Sequence, residues 1–102
     1  MGIRVGKYSF EGSYTSTDSL QDKAGVYAIH CYKDSKYYLL DVGESETVKS
    51  RVENHERKSC WQRNCSGTIT YSVYYTPNLD QEGRMKIEQE IRNQYKPPCG
   101  KV

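Results

Sequence analysis

No stretch of this chain approaches the ~20 consecutive apolar residues that a membrane-crossing helix needs, so a membrane-spanning role is not expected. The opening residues, Met1-Gly2-Ile3-Arg4-Val5-Gly6, lack the apolar core of a secretory leader. Charge of one sign is missing too. Fifteen basic residues stand against thirteen acidic ones, a net +2 that does not by itself mark a nucleic-acid binder. Internal repeats, low-complexity tracts and paired close-spaced cysteine motifs are absent. The four cysteines, Cys31, Cys60, Cys65 and Cys99, come without a secretory signal, and reduced, partly buried thiols in a soluble cytoplasmic chain are expected. A zinc site built on Cys60, Cys65 and the adjoining His30-Cys31 pair is the other arrangement these residues allow.

What is present is tyrosine. Ten Tyr in 102 residues give a chain of mean hydropathy -0.90 the apolar rings it needs for a single core, because Tyr buries its ring behind a polar tip. Charge is unevenly spread: residues 49–63 and 84–101 are each net +3, whereas residues 1–48 are net -2. Such a division suits a polyanion approached from one side, and it equally describes solvated helix faces.

Residues 1–23 show no clear period and are unassigned: a short strand, a docked arm or a tail. From Gly25 to Tyr32 and from Tyr37 to Gly43 run two β-rich segments around the turn-forming Lys33-Asp34-Ser35-Lys36, which predicts a hairpin. Helical spacing of Val48, Val52 and His55 predicts a helix from Ser45 to about Lys58, with Trp61 to Gly67 as a connection. Thr68 to Tyr75 alternates as a third strand, and Asp80 caps a second helix that ends at Tyr95, before Lys96-Pro97-Pro98. The expected fold is α+β, a small antiparallel three-stranded sheet flanked by helices in the order β-β-α-β-α, with a domain over residues 24–100.

Charged residues on inner faces stand out against this pattern. Arg51 and His55 share an arc with Val48 and Val52, where a structural helix would carry Leu or Ile. A guanidinium stranded in a dry core costs several kcal/mol, so Arg51 must reach a carboxylate or open onto a cleft. On the second helix Glu88 lies on the shoulder of the Ile87–Ile91–Tyr95 stripe, placed either for a salt bridge or for a metal ion. Tyr27 lies in the first strand, and Gly43 closes the second, where glycine permits close backbone approach.

These residues together resemble the GIY-YIG nuclease domain. Gly25-Val26-Tyr27 corresponds to the first signature tripeptide and Asp41-Val42-Gly43 to the second. Arg51, eight positions after Gly43, matches the family's helix arginine, His55 its common histidine and Glu88 its metal-binding glutamate. Lys96-Pro97-Pro98-Cys99-Gly100 matches its C-terminal turn. Two positions depart from the pattern. Asp41 stands where the second signature has tyrosine, and Gly100 where the turn has asparagine. Tyr37 is expected on the same strand face as Asp41 but about 13 Å away at ~3.3 Å per residue, with Tyr38 on the other face.

The resemblance implies hydrolysis of DNA phosphodiesters with one Mg²⁺ or Mn²⁺. Tyr27 would activate or orient water, with His55 sharing or taking the proton. Arg51 would brace the phosphoryl oxygens, and Glu88 would hold the metal. Asp41 is either a second metal ligand or a charge that repels phosphate. Lys49, Arg57, Lys58 and Arg63 are the expected DNA-backbone contacts, and a partner protein or a homodimer would supply selectivity. A non-catalytic DNA-binding or structural module of the same type, with Arg51 and Glu88 left as an ion pair, and a small zinc module are the alternatives.

Overall fold

The computed structural model describes residues 2–100. The expected three-stranded sheet is corrected to five antiparallel strands in the order β1-β2-β5-β3-β4. The strands are β1 (Gly2–Val5), β2 (Tyr8–Tyr14), β3 (Gly25–Lys33), β4 (Lys36–Ser45) and β5 (Thr68–Tyr75). The additional strands are β1 and β2, from the segment left unassigned. Their alternation hides in the sequence because the inward series Tyr8, Phe10, Gly12 opens on a half-buried tyrosine and ends on a glycine. Gly12 is required there, since a Cβ would lie 2.8 Å from the carbonyl oxygen of Tyr71 on the neighbouring strand. Ser13 Oγ of β2 also donates to Tyr37 Oη of β4 at 2.9 Å. Three strand spacings of ~4.8 Å would hold these strands about 14 Å apart in a flat sheet, so the sheet curls.

The β3–β4 hairpin forms as expected, closed by Asp34 and Ser35 at φ 53° and 63°, the paired positive values that suit a two-residue turn between right-twisted strands. A bulge interrupts its register between Ile29 and His30. One extra residue on β4 shifts the alternation. Asp41 then pairs with Ile29, while Tyr37 pairs with Tyr32 and Tyr38 with Cys31. The expectation that Tyr37 shares a face with Asp41 is therefore reversed: Tyr38 does.

The first expected helix is two. Helix α1 (Val48–Glu53) stops at Asn54, whose side-chain amide donates back to the Ser50 carbonyl, a local bond that competes with helix continuation. Helix α2 (Lys58–Arg63) replaces the expected connection and buries Trp61. Only one of its six residues is buried, so no apolar period announced it. Helix α3 (Gln81–Tyr95) matches its expectation, with Asp80 Oδ1 accepting from Gly83 N–H at 2.9 Å and Lys96 left-handed beyond its end.

The sheet separates two apolar clusters. Tyr27, Ile29, Leu40 and Val73 pack with Val48 and Val52 of α1 and Trp61 of α2. Val5, Phe10, Val26, Ala28 and Val42 pack with Ile87 and Ile91 of α3. The cysteines are not free thiols. Cys31 is bonded to Cys65 and Cys60 to Cys99, across separations of 34 and 39 residues. Loops of that size correspond to about 4 kcal/mol each in the chain-entropy description, and they anchor α2, too short to persist alone. With both pairs joined, the zinc arrangement has no thiolates to offer.

Candidate active site at the outer edge of β4

Strand β4 is the sheet edge, with α1 and α2 over one face and α3 over the other. Edge strands carry unpaired backbone groups that must be covered. The Leu40 carbonyl takes the N–H of Cys99 at 3.0 Å. The Val42 N–H goes to Asp41 Oδ1 at 2.8 Å, and the Val42 carbonyl takes Arg92. Asp41, fully buried, is the centre of this cover. Its Oδ2 accepts from Arg57 Nε and Trp61 Nε1, each at 2.8 Å, and its Oδ1 accepts from Arg92 Nη2 at 3.0 Å. A carboxylate so filled has no lobe left for a metal ion, so Asp41 does not serve as the second ligand. Arg57, expected on the DNA backbone, is committed to Asp41 instead.

The two departures from the resembled pattern are in contact. Gly100 has φ +76°, and a Cβ there would lie 2.7 Å from Asp41 Oδ1 and 2.9 Å from the Arg57 guanidinium. An aspartate at 41 that draws in Arg57 thus demands glycine at 100. Sequence reading missed Arg92 and Trp61 as members of this cluster. The spacing of Arg84, Glu88 and Arg92, every fourth residue beside Ile87 and Ile91, was the available sign. Arg84 is likewise buried, donating to Glu44 Oε1 at 2.9 Å.

A second group lies beside the first. Tyr27 and Gly43 are register partners across the hairpin. A Cβ at position 43 would lie 2.2 Å from Tyr27 Oη, so the glycine makes room for the phenol. Tyr27 Oη is 2.7 Å from His55 Nε2. The Arg57 backbone N–H donates to His55 Nδ1 at 3.1 Å, which assigns the imidazole proton to Nε2. Burial, with the charges of Arg57 and Arg51, pushes His55 down to about 4 and keeps it neutral at pH 7. His55 therefore donates to the phenol oxygen. With Nε2 protonated and Nδ1 accepting from Arg57, it has no free lone pair with which to take or share the water's proton, the role the resemblance allowed it.

Burial raises the Tyr27 pKa to about 12, opposed by the charge of Arg51 and reinforced by those of Asp41 and Glu88. Arg51 and Glu88, from helices on opposite sheet faces, thus act on one phenol. Arg51 forms a two-point pair with Glu56 at 2.6 and 3.0 Å. Glu56 is 61% exposed, and ion pairs in water are worth only ~0–1 kcal/mol, so Arg51 can exchange Glu56 for a phosphate at little cost. Glu88 is half-buried, and its pKa is raised by that burial. Among the described residues its one ion pair is a 3.5 Å contact to Arg92 Nη2, a nitrogen already occupied by Asp41. Glu88 is thus an under-partnered carboxylate. Among the described residues no three His, Cys, Asp or Glu side chains gather as a metal-binding group.

The other expected residues are more ordinary. Gly25 lets β5 approach, since a Cβ would lie 2.8 Å from the Tyr74 carbonyl. Lys58 and Arg63 are exposed and Lys49 half-buried on α1 and α2. Among the described residues no helix is long and apolar enough to cross a membrane. Comparison with family models, with curated proteins and with solved structures finds no match to this chain.

Proposed function

We propose that this chain is a metal-dependent endonuclease of GIY-YIG type that hydrolyses DNA phosphodiester bonds. The observation that carries the reading is the 2.7 Å hydrogen bond from neutral His55 to Tyr27 Oη, with the Arg51 charge acting on the same phenol. Donation from His55 and the Arg51 charge both favour the phenolate, against burial. Tyr27, rather than His55, is then the base: once its own proton has left to solvent, its phenolate takes the proton of the attacking water. Arg51, released from Glu56, braces the phosphoryl oxygens where charge develops. Glu88 fits the ligand role because its carboxylate is under-partnered and partly open. One carboxylate with water and substrate phosphate is a common way to hold Mg²⁺ or Mn²⁺, and an ion there supplies charge stabilisation at the phosphate. Lys49, Lys58 and Arg63 would contact the DNA backbone, and a partner protein or second copy would add selectivity. The two disulfides favour an oxidising compartment over the cytoplasmic setting expected from the sequence.

The non-catalytic reading draws on one observation, the Arg51–Glu56 pair that occupies the guanidinium. Nicking of supercoiled plasmid separates the two. The expected result is nicking with Mg²⁺ or Mn²⁺, none in EDTA, and loss in Glu88→Ala and Arg51→Ala at unchanged circular dichroism. DNA binding without nicking by the wild type establishes the alternative.

A further inference from the structure

On the α3 side of the sheet, beside the β3–β4 turn, a cleft of about 250 Å³ is lined by Ile3, Arg4, His30, Tyr37, Leu39 and Tyr95. His30 is buried, and among the described residues its Nδ1 has no hydrogen-bond partner. Buried polar atoms are rarely left unpaired without a reason. Burial pushes the imidazole down to about 4, so it presents a neutral donor–acceptor pair at pH 7. Tyr37 and Tyr95, each 45% exposed, flank it as open rings. Their hydroxyls accept from Ser13 Oγ and from the Gly6 N–H, at 2.9 and 2.8 Å, which leaves both O–H protons to give. The Tyr32 ring lies 4.7 Å from that of Tyr37 and extends the aromatic surface towards the turn. Arg4, exposed, lines the edge of the cleft.

Open rings, neutral hydrogen-bonding groups at depth and the Arg4 cation at the rim fit a flat heterocycle attached to an anion. The cleft is smaller than the ~300–1,000 Å³ of drug-sized pockets, so it suits a single ring system. Glu88 and Tyr95 are seven residues apart on one face of α3, about 10 Å at 1.5 Å per residue. That is roughly three nucleotide steps at ~3.4 Å. We propose that the cleft takes one unpaired base of the strand cut beside Tyr27 and Glu88, so that the preferred substrate carries an extrahelical nucleotide about three steps from the cut. This rests on the nuclease reading above.

Stacking on an aromatic side chain changes affinity by roughly 5- to 150-fold per base. The test is fluorescence anisotropy in EDTA with a labelled duplex bearing one unpaired adenine and its fully paired counterpart. The wild type is expected to bind the bulged duplex about tenfold tighter. Tyr37→Ala and His30→Phe should each reduce that preference towards parity, and Tyr37→Ala should still nick paired plasmid. Equal affinity for the two duplexes, no affinity for either, or a preference that survives both substitutions overturns the cleft assignment. Plasmid nicking is scored separately. A bulge preference without nicking defeats the nuclease reading and keeps the cleft, and nicking without the preference does the reverse.

Discussion

Two groups of charge sit side by side on the outer edge of β4, and they bond in opposite ways. Around Asp41 the carboxylate oxygens are filled by Arg57, Arg92, Trp61 and a backbone N–H, with the carboxylate itself fully buried and only Arg57 part-exposed. Around Tyr27 the groups are held but not filled. The phenol accepts one bond and keeps its proton, Glu88 has one long contact, and Arg51 leans on an exposed acid. A filled buried cluster rigidifies, and removing a member is costly. Under-filled groups beside it retain capacity for a substrate. On the proposed nuclease reading, the contrast leaves Asp41 to structure and Tyr27 to chemistry, although both occupy positions where the resembled pattern has a tyrosine.

The sharpest test of that division is Tyr27→Phe. Loss of a general base costs ~10²–10⁴-fold in rate, and plasmid nicking should fall by that much. The wild-type rate should also climb by up to tenfold per pH unit between about pH 7 and 9, because the phenol, with a pKa raised to about 12, is largely protonated there. A flat profile, or near-normal nicking by the phenylalanine variant, removes Tyr27 from the chemistry.

Asp41→Ala addresses the other half. It leaves Arg57 and Arg92 without their counter-charge, at a cost of about 3–5 kcal/mol. The thermal midpoint of a chain this size should drop by more than about 10 °C, and a change of a degree or two would show that the cluster carries little.

Smaller still is the effect of acid on each buried histidine. His30 and His55 both have folded pKa values near 4, below the unfolded 6.5. The unfolded chain therefore binds more protons between those values. The contribution is complete above pH 6.5 and is lost as pH falls towards 4. Each group should contribute on the order of 2–3 kcal/mol to that loss. Urea midpoints measured at pH 7 and pH 4.5, for the wild type and for His30→Phe, check the sign and the size.

Legibility in the sequence followed how far each signal reached. The alternation of Thr68 to Tyr75 and the Asp80 cap are local, and both elements lie where expected. The bulge next to Ile29 left no local mark, so the faces of Tyr37 and Tyr38 came out reversed. Asn54 looked like another polar helix residue until its amide turned back on Ser50. Arg57 counted as an exposed base on charge alone. Its partner, Asp41, is 16 residues away in sequence, and no period links them.

The chain's residue order alone determined the hairpin, the third of the expected strands, the long C-terminal helix and the identity of Arg51, His55 and Glu88 as residues out of keeping with a plain core. These follow from side-chain periodicity and capping, which act within a few residues. Tertiary structure alone decided that β1 and β2 complete the sheet, that the cysteines pair, that His55 donates to Tyr27, and that Asp41 binds two arginines. Each of these depends on groups brought together from distant parts of the chain, where burial removes water and makes every remaining polar atom find a partner.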